Sequence, residues 1–343
     1  MIALAPWQQR VYAQAIAALD AGRLAHGLLL CGPARLGKRV VAERLAQRVL
    51  CTAATGPDPC GQCRSCTLFA ARTQRDPVEV RPDGSPAHPF GHPGHPDAHF
   101  VGYEWRLKPS PARPRTEITI DQIRELSEQL TLTPTFHAQV GLIDPADQVN
   151  HAGSNGLLKT LEEPVPGRYL FLLSAEPARL SATIRSRCQR LEFRLPPRDE
   201  ARAWLLAQGH DMAEADEALA ATRGHPGQAD AWLRGGGMAL RREVASDLRK
   251  LERGDAGAID IAQAWVAAED LDARLRHAAD LALSMASDGL TDPGRTRRLA
   301  AWFDAANRTR DLLRTTVRAD LALVELLLQW QGGARRQTQG GRG

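Results

Sequence analysis

The chain has 343 residues, 43% of them hydrophobic and 24% charged, with a formal net charge of +4. That length holds about two or three domains, each with a core of its own. So small a charge excess makes no case for nucleic-acid binding from composition, and no apolar run approaches the roughly 20 residues of a membrane span.

The first strong signal is His26-Gly-Leu-Leu-Leu-Cys31, a continuous apolar run that predicts a parallel strand covered on both faces. Gly32-Pro-Ala-Arg-Leu-Gly37-Lys38 follows and matches the phosphate-binding pattern G-x-x-x-x-G-K-[ST] up to its last position. Consecutive backbone N–H groups at a helix N-terminus attract phosphate without side chains, and Lys38 can neutralise it. Arg39 then stands where a hydroxyl would hold Mg²⁺; it has no lone pair to offer and its charge repels a cation. Val41, Leu45 and Val49 predict the helix that carries the loop.

Four of the six cysteines follow as Cys51, Cys60, Cys63 and Cys66, a C-x8-C-x2-C-x2-C spacing. Four thiolates close a tetrahedral shell around Zn²⁺, and the short gaps let the chain wrap the ion. Two disulfides or an iron–sulfur cluster are the competing readings. Met1–Arg10 lacks the features of a secretory signal, so a cytoplasmic setting is expected and disulfides are disfavoured there. Structural zinc is favoured, and a closed shell leaves no open position for catalysis. Cys31 and Cys188 read as packing residues.

Residues 81–115 are dense in Pro, Gly and His and predict a long flexible insertion. His88, His92, His95 and His99 recur every three or four residues, but Pro89, Pro93 and Pro96 forbid the helix that would align them on a metal. A solvated loop is the favoured reading there. Thr119 and Gln122 form a candidate capping box for a helix bearing Ile123, Leu126 and Leu130. Val140–Asp144 and Tyr169–Ser174 are further candidate strands, separated by a helix that Pro164 stops. Strands alternating with helices predict an α/β domain with a parallel sheet. Asp144, at a strand end, is placed for metal coordination, whereas Pro145 occupies the position of a catalytic acid and can neither take a proton nor orient water. Asp147 is three residues on from Asp144 and a poor substitute.

From Pro196 onward strands give way to helices, expected at 199–208, 212–222, 238–252, 258–287 and 296–328. Leu313, Val317, Leu321, Val324 and Leu328 form a stripe that reads either as bundle core or as a subunit interface. Residues 331–343, rich in Gly and Arg, are expected to be a disordered tail.

Asn155-Gly-Leu-Leu-Lys-Thr-Leu-Glu-Glu-Pro164 and Thr183-Ile-Arg-Ser-Arg-Cys-Gln189 resemble the signature boxes of bacterial clamp-loader subunits of the AAA+ class. The cysteine module after the phosphate-loop helix fits that family, as does Arg23-Leu-Ala-His26 ahead of the first strand. The resemblance is specific over most of residues 1–230 and rests on helical character beyond, with the Leu326-Leu-Leu-Gln-Trp330 ending. It implies a P-loop AAA+ domain over 1–195, with a zinc module at 51–66, then a helical lid domain over 196–236 and an all-α collar domain over 237–330. It further implies that Arg187, in Ser186-Arg187-Cys188, is an arginine finger acting in trans on a neighbour's ATP, with Arg185 a weaker candidate.

The family's γ-phosphate-sensing arginine falls at Gly227, and Arg223 is at the wrong spacing; Ser174 matches a polar sensor position. Gly32, Gly37, Lys38 and Asp144 would then be a vestigial nucleotide site with weak or absent ATP or ADP binding. The implied role is that of a non-hydrolysing subunit of a DNA polymerase holoenzyme. Its partners would be delta and gamma/tau subunits, with the sliding clamp and primed DNA reached through the complex. The alternative is an active ATPase of the gamma/tau type. A direct zinc-dependent nucleic-acid binder is weaker, because the module lacks interleaved aromatics and a basic run.

Overall fold

The computed structural model describes residues 3–71, 94–106, 113–288, 292–313 and 315–340. These divide into two compact units, one of residues 1–204 with 225–227 and one of residues 205–224 with 228–343.

The first unit is built on a five-stranded sheet, every neighbouring pair of which is parallel. Its strands are β1 (Gly27–Cys31), β2 (Ala98–Val101), β5 (Gln139–Ile143), β6 (Arg168–Ser174) and β7 (Gln189–Glu192), in the spatial order β2-β5-β6-β1-β7. A separate antiparallel pair joins β3 (Trp105–Arg106) to β4 (Arg113–Pro114). Helices α1 (Pro6–Asp20), α2 (Lys38–Leu50), α3 (Arg64–Ala71), α4 (Ile120–Thr131), α5 (His151–Glu162) and α6 (Ala182–Arg187) complete the layers.

Strand residues alternate between two cores, as the pleat requires. Leu28, Leu30, Val140, Leu142, Phe171 and Leu173 pack with α1 and α2. Leu29, Ile143, Leu170 and Leu172 pack on the other face with Ile123, Leu126, Leu157, Leu161 and Ile184 of α4, α5 and α6. The expected helix face of Val41, Leu45 and Val49 is buried in the first of these cores. At the start of α4 the expected cap is present as a Thr119 N–H donating to Gln122 Oε1 at 3.0 Å.

The flexible-loop expectation for 81–115 fails where the chain is described. Residues 98–101 are the edge strand β2 beside β5, and His95 and Asp97 are buried just before it. The prolines that bar a helix do not bar an extended strand beginning two residues after Pro96. Residues 81–93 and 107–112 of that expectation, with His88 and His92, lie outside the described residues.

The second unit is helical: the end of α7 (Arg198–Ala207), then α8 (Met212–Ala221), α9 (Pro226–Arg234), α10 (Gly237–Arg253), α11 (Ala258–Ala267), α12 (Leu271–Asp288), α13 (Pro293–Leu312) and α14 (Ala319–Gly340). The two long helices expected at 258–287 and 296–328 are each broken in two. The α14 backbone continues to Gly340, through residues expected to be a disordered tail.

The stripe of Leu313, Val317, Leu321, Val324 and Leu328 is split: Leu313 and Val324 pack against the core of this bundle and the other three do not. Leu323, Leu326, Leu327 and Trp330 of α14 are buried with Val244, Leu248, Trp265, Leu275 and Trp302, while Val317, Leu321 and Leu328 are exposed. Trp302 and Trp330 meet edge to face at 4.6 Å, and Trp302 Nε1 donates to Leu326 O at 2.9 Å.

Candidate functional site

The phosphate loop joins β1 to α2 at the carboxyl edge of the sheet, where open α/β sheets place their ligands. Two residues of α1 hold it from below: Trp7 Nε1 and Gln8 Nε2 both donate to Leu36 O, at 3.0 and 3.2 Å. Gly37 sits at φ +83° with a would-be Cβ 2.1 Å from Gln8 Nε2, so only glycine closes this turn. Sequence reasoning missed Trp7 and Gln8, which carry no local motif.

Lys38 Nζ donates to Gly32 O at 2.8 Å and Pro33 O at 2.7 Å, folding back onto its own loop. Burial pulls its ammonium below the ordinary lysine range, while Asp144 and Asp147 act against that pull. Arg39 Nε bonds Glu43 Oε1 at 2.8 Å, and Arg39 Nη1 lies 3.6 Å from Asp144 Oδ2. A guanidinium therefore stands beside the carboxylate that would hold a metal. Burial raises the Asp144 carboxyl above its usual value, against the attraction of Arg39 and Lys38. Glu43 went unnoticed in the sequence, although its i,i+4 spacing from Arg39 is a readable signal.

The remaining positions of a working site are taken up or missing. Asp147 Oδ1 accepts from Ala175 N at 3.0 Å and its Oδ2 from Gln148 Nε2 at 3.3 Å, so its carboxylate has structural duties. Ser174 is 1% exposed and its Oγ has no partner among the described residues. His225, two residues before Gly227, bonds Ala34 O through Nε2 at 2.8 Å. A Cβ on Gly227 would come 1.8 Å from Arg35 O, so no side chain fits there in this conformation. Arg223 is paired elsewhere, 3.5 Å from Asp280.

Arg187 ends α6 and is exposed; its Nη2 meets Glu162 Oε1 at 2.8 Å and its Nη1 donates to Thr183 O at 3.2 Å. Arg185 is half-buried, with an Nε that has no partner among the described residues. A cavity of about 340 Å³ lies at the opposite edge of the sheet, lined by His26, Leu130, Lys159, Glu163, Arg168 and Tyr169.

The cysteine cluster is assembled. The four Sγ atoms of Cys51, Cys60, Cys63 and Cys66 all lie within 4.8 Å of one another, with Cys51–Cys63 at 3.8 Å and Cys60–Cys66 at 4.0 Å. Tetrahedral thiolates about 2.3 Å from one zinc stand roughly 3.8 Å apart. A disulfide needs about 2.05 Å, and a four-iron cluster spreads its cysteines wider, so the set fits a single tetrahedral ion. Backbone N–H groups of Cys60, Cys63 and Cys66 point at the Sγ of Cys51, Cys60 and Cys63, at 3.4, 3.3 and 3.4 Å, favouring thiolate. The module is tied down by Tyr12 Oη to Pro57 O at 2.7 Å and by Arg44 to Asp58 at 2.8 Å.

Next to the cluster, Ser65 and His95 imitate a nucleophile–base pair, with Ser65 Oγ 2.9 Å from His95 Nε2. The protons run the wrong way. His95 Nδ1 accepts from Asp97 N at 3.0 Å, so Nε2 carries the hydrogen and donates to Ser65, which donates to Leu50 O at 2.7 Å. Asp97 in turn accepts from Thr135 N and Phe136 N at 2.8 and 2.9 Å. The histidine expected to be solvated is thus a buried strut between the cysteine module and the sheet edge.

Comparison with known proteins follows the same lines. A family model described as DNA polymerase III, delta subunit, matches residues 7–197. The chain is 34% identical over 265 residues to the DNA polymerase III subunit delta-prime of Pseudomonas aeruginosa, covering 76% of this chain and 70% of that one. With the delta-prime subunit of Escherichia coli K12 it shares 30% over 251 residues, 71% of this chain and 65% of that one. A gamma/tau subunit of Mycobacterium tuberculosis is 33% identical over 195 residues, covering 56% of this chain and 28% of that one. A gamma-subunit-related protein from Thermotoga maritima superposes over 94% of this chain and 100% of its own, at 14% identity and a TM-score of 0.39.

Proposed function

The chain belongs to the DNA polymerase III delta-subunit family, and from that membership we propose a clamp-loader subunit that turns over no ATP itself and lends Arg187 to a neighbour's nucleotide. The observation that carries this reading is the Arg39–Asp144 pair, an organic cation 3.6 Å from the carboxylate that would otherwise be free to hold magnesium. Pro145 in place of an acid, the occupied carboxylate of Asp147 and the missing side chain at Gly227 support it further. The gamma/tau alternative needs a metal and a water-activating acid, and those positions offer neither.

In this reading Gly32, Gly37, Lys38 and Asp144 are a vestigial nucleotide site that binds ATP or ADP weakly or not at all. Cys51, Cys60, Cys63 and Cys66 hold a structural zinc ion. Residues 1–195 are the AAA+ domain, 196–236 a lid, and 237–330 a collar domain that assembles with delta and gamma/tau subunits. The exposed Leu321 and Leu328 of α14 are apolar surface available for that assembly. The complex would open and close the sliding clamp on primed DNA in the cytoplasm. No helix among the described residues is long and apolar enough to cross a membrane.

A guanidinium supplied in trans neutralises charge that builds on the transferred phosphoryl group, and such fingers are worth about 10³–10⁵ in rate elsewhere. The test is reconstitution with the ATPase subunits, with and without Arg187→Ala. DNA-stimulated turnover at one site should fall while the complex stays assembled. Unchanged turnover would remove Arg187 from the chemistry, and steady hydrolysis by the isolated chain would favour the gamma/tau reading.

A further inference from the structure

Arg187 does not project freely from the surface. Its Nη2 is 2.8 Å from Glu162 Oε1, and its Nη1 donates to Thr183 O at 3.2 Å, so both terminal nitrogens are turned back onto the chain's own body. A guanidinium that grips phosphate bidentately needs that same edge free. The two residues end α5 and α6, and those helices are fixed together below the surface by Leu157, Leu161 and Ile184 in one core. The juxtaposition is therefore set by packing, while the ion pair itself stays at the surface, with side-chain exposures of 36% for Arg187 and 48% for Glu162.

We infer that Glu162 is a positioning residue that parks the finger, competing for the Arg187 guanidinium until a neighbour's triphosphate displaces it. This rests on the reading of Arg187 as a finger. The exposure of the pair makes the hold weak enough to release, since screened surface pairs shift equilibria by about fivefold or less. A triphosphate offers more negative charge than one carboxylate, and its oxygens accept the paired donors that Glu162 occupies singly. An empty or distant neighbouring site leaves the arginine docked on Glu162. The carboxylate sits at the C-terminus of α5, where negative charge opposes the helix dipole, so its removal does not threaten the fold.

The experiment uses the reconstituted complex and compares wild type with Glu162→Gln, Glu163→Gln, Arg187→Ala and the double variant Glu162→Gln/Arg187→Ala. Turnover is measured against ATP concentration at two salt levels, alongside binding of ADP with aluminium fluoride as a transition-state mimic. Glu162→Gln should raise turnover at limiting ATP and tighten the mimic by about two- to fivefold. That gain should shrink at high salt, be absent from Glu163→Gln, and vanish in the double variant. If Arg187→Ala lowers turnover but Glu162→Gln matches wild type, the finger stands and the parking role is lost. A lower rate in Glu162→Gln would make the carboxylate an aid to the finger and overturn the proposal. Unchanged turnover in Arg187→Ala would remove the finger and the parking role together.

Discussion

Arg39 Nη1 lies 3.6 Å from Asp144 Oδ2, a guanidinium facing the carboxylate just past the end of β5. Because the cation is covalently part of the chain, it cannot be exchanged, washed out or brought in by a nucleotide. In the proposed reading the site is inert through occupation as much as through loss.

Removing that cation should separate binding from chemistry. Arg39→Thr restores the hydroxyl and frees Asp144, and is expected to give the isolated chain magnesium-dependent affinity for a fluorescent ATP analogue. Phosphate release should stay at background, since Pro145 still activates no water. Sustained hydrolysis by this variant would show that a general acid or base exists elsewhere. Adding Gly227→Arg should not help: its Cβ would sit 1.8 Å from Arg35 O, and such overpacking costs about 1–3 kcal/mol in stability.

The cysteine cluster should hold one zinc ion per chain by elemental analysis. Cys66→Ala removes a buried ligand and is expected to lose the metal, with a melting temperature lower by about 6–12 °C if roughly 3 kcal/mol is lost. Hydrogen exchange should quicken at residues 95–101, because Ser65 beside Cys66 anchors His95. A metal-free preparation with unchanged protection of those amides would refute the coupling.

The exposed and buried faces of α14 should separate in mutation. Leu321→Asp and Leu328→Asp, at 59% and 51% exposed, are expected to change stability by no more than about 0.5 kcal/mol yet abolish co-elution with the partner subunits. Leu327→Ala, fully buried, should cost about 2–5 kcal/mol. Aspartate variants that still co-elute would place the assembly surface elsewhere.

His277 predicts a pH dependence of the helical unit. The ring is 3% exposed, its centroid 4.5 Å from that of Trp232, and burial, aided by Arg241 and Arg276, pushes its pKa down to about 4. Native His277 stays neutral where the unfolded ring takes a proton, so its stabilising contribution is whole above pH 6.5 and is lost as pH falls towards 4. Urea titrations should show about 2 kcal/mol of loss between pH 7 and 5, absent in His277→Phe. An identical pH slope in the two proteins would exclude the histidine as its source.

What could be read before folding was whatever repeats at a local period or carries chemistry in adjacent letters. β1, β5 and β6 announce themselves as apolar runs, and the cysteines by their spacing. β2 did not, because Ala98-His-Phe-Val follows a stretch of prolines and histidines whose burial depends on Ser65 and Thr135, far away in the chain. β7 is a polar-looking edge strand, Gln189-Arg-Leu-Glu192, held by its pairing with β1. On α14 the periodicity was visible but the choice of face was not, since both faces are apolar and only the partner helices decide between them. The partners of Arg39 and Arg187 divide in the same way: Glu43 is four residues off, whereas Glu162 meets Arg187 only through the packing of two helices.

The 2.9 Å contact between Ser65 and His95 also fixes two points of the chain on either side of residues 72–93. With both ends stapled, lengthening the stretch between them adds only about 0.6 kcal/mol of closure entropy per doubling. Residues added between the two tethered points should therefore leave the cysteine module and β2 joined, which amide exchange at residues 95–101 would check.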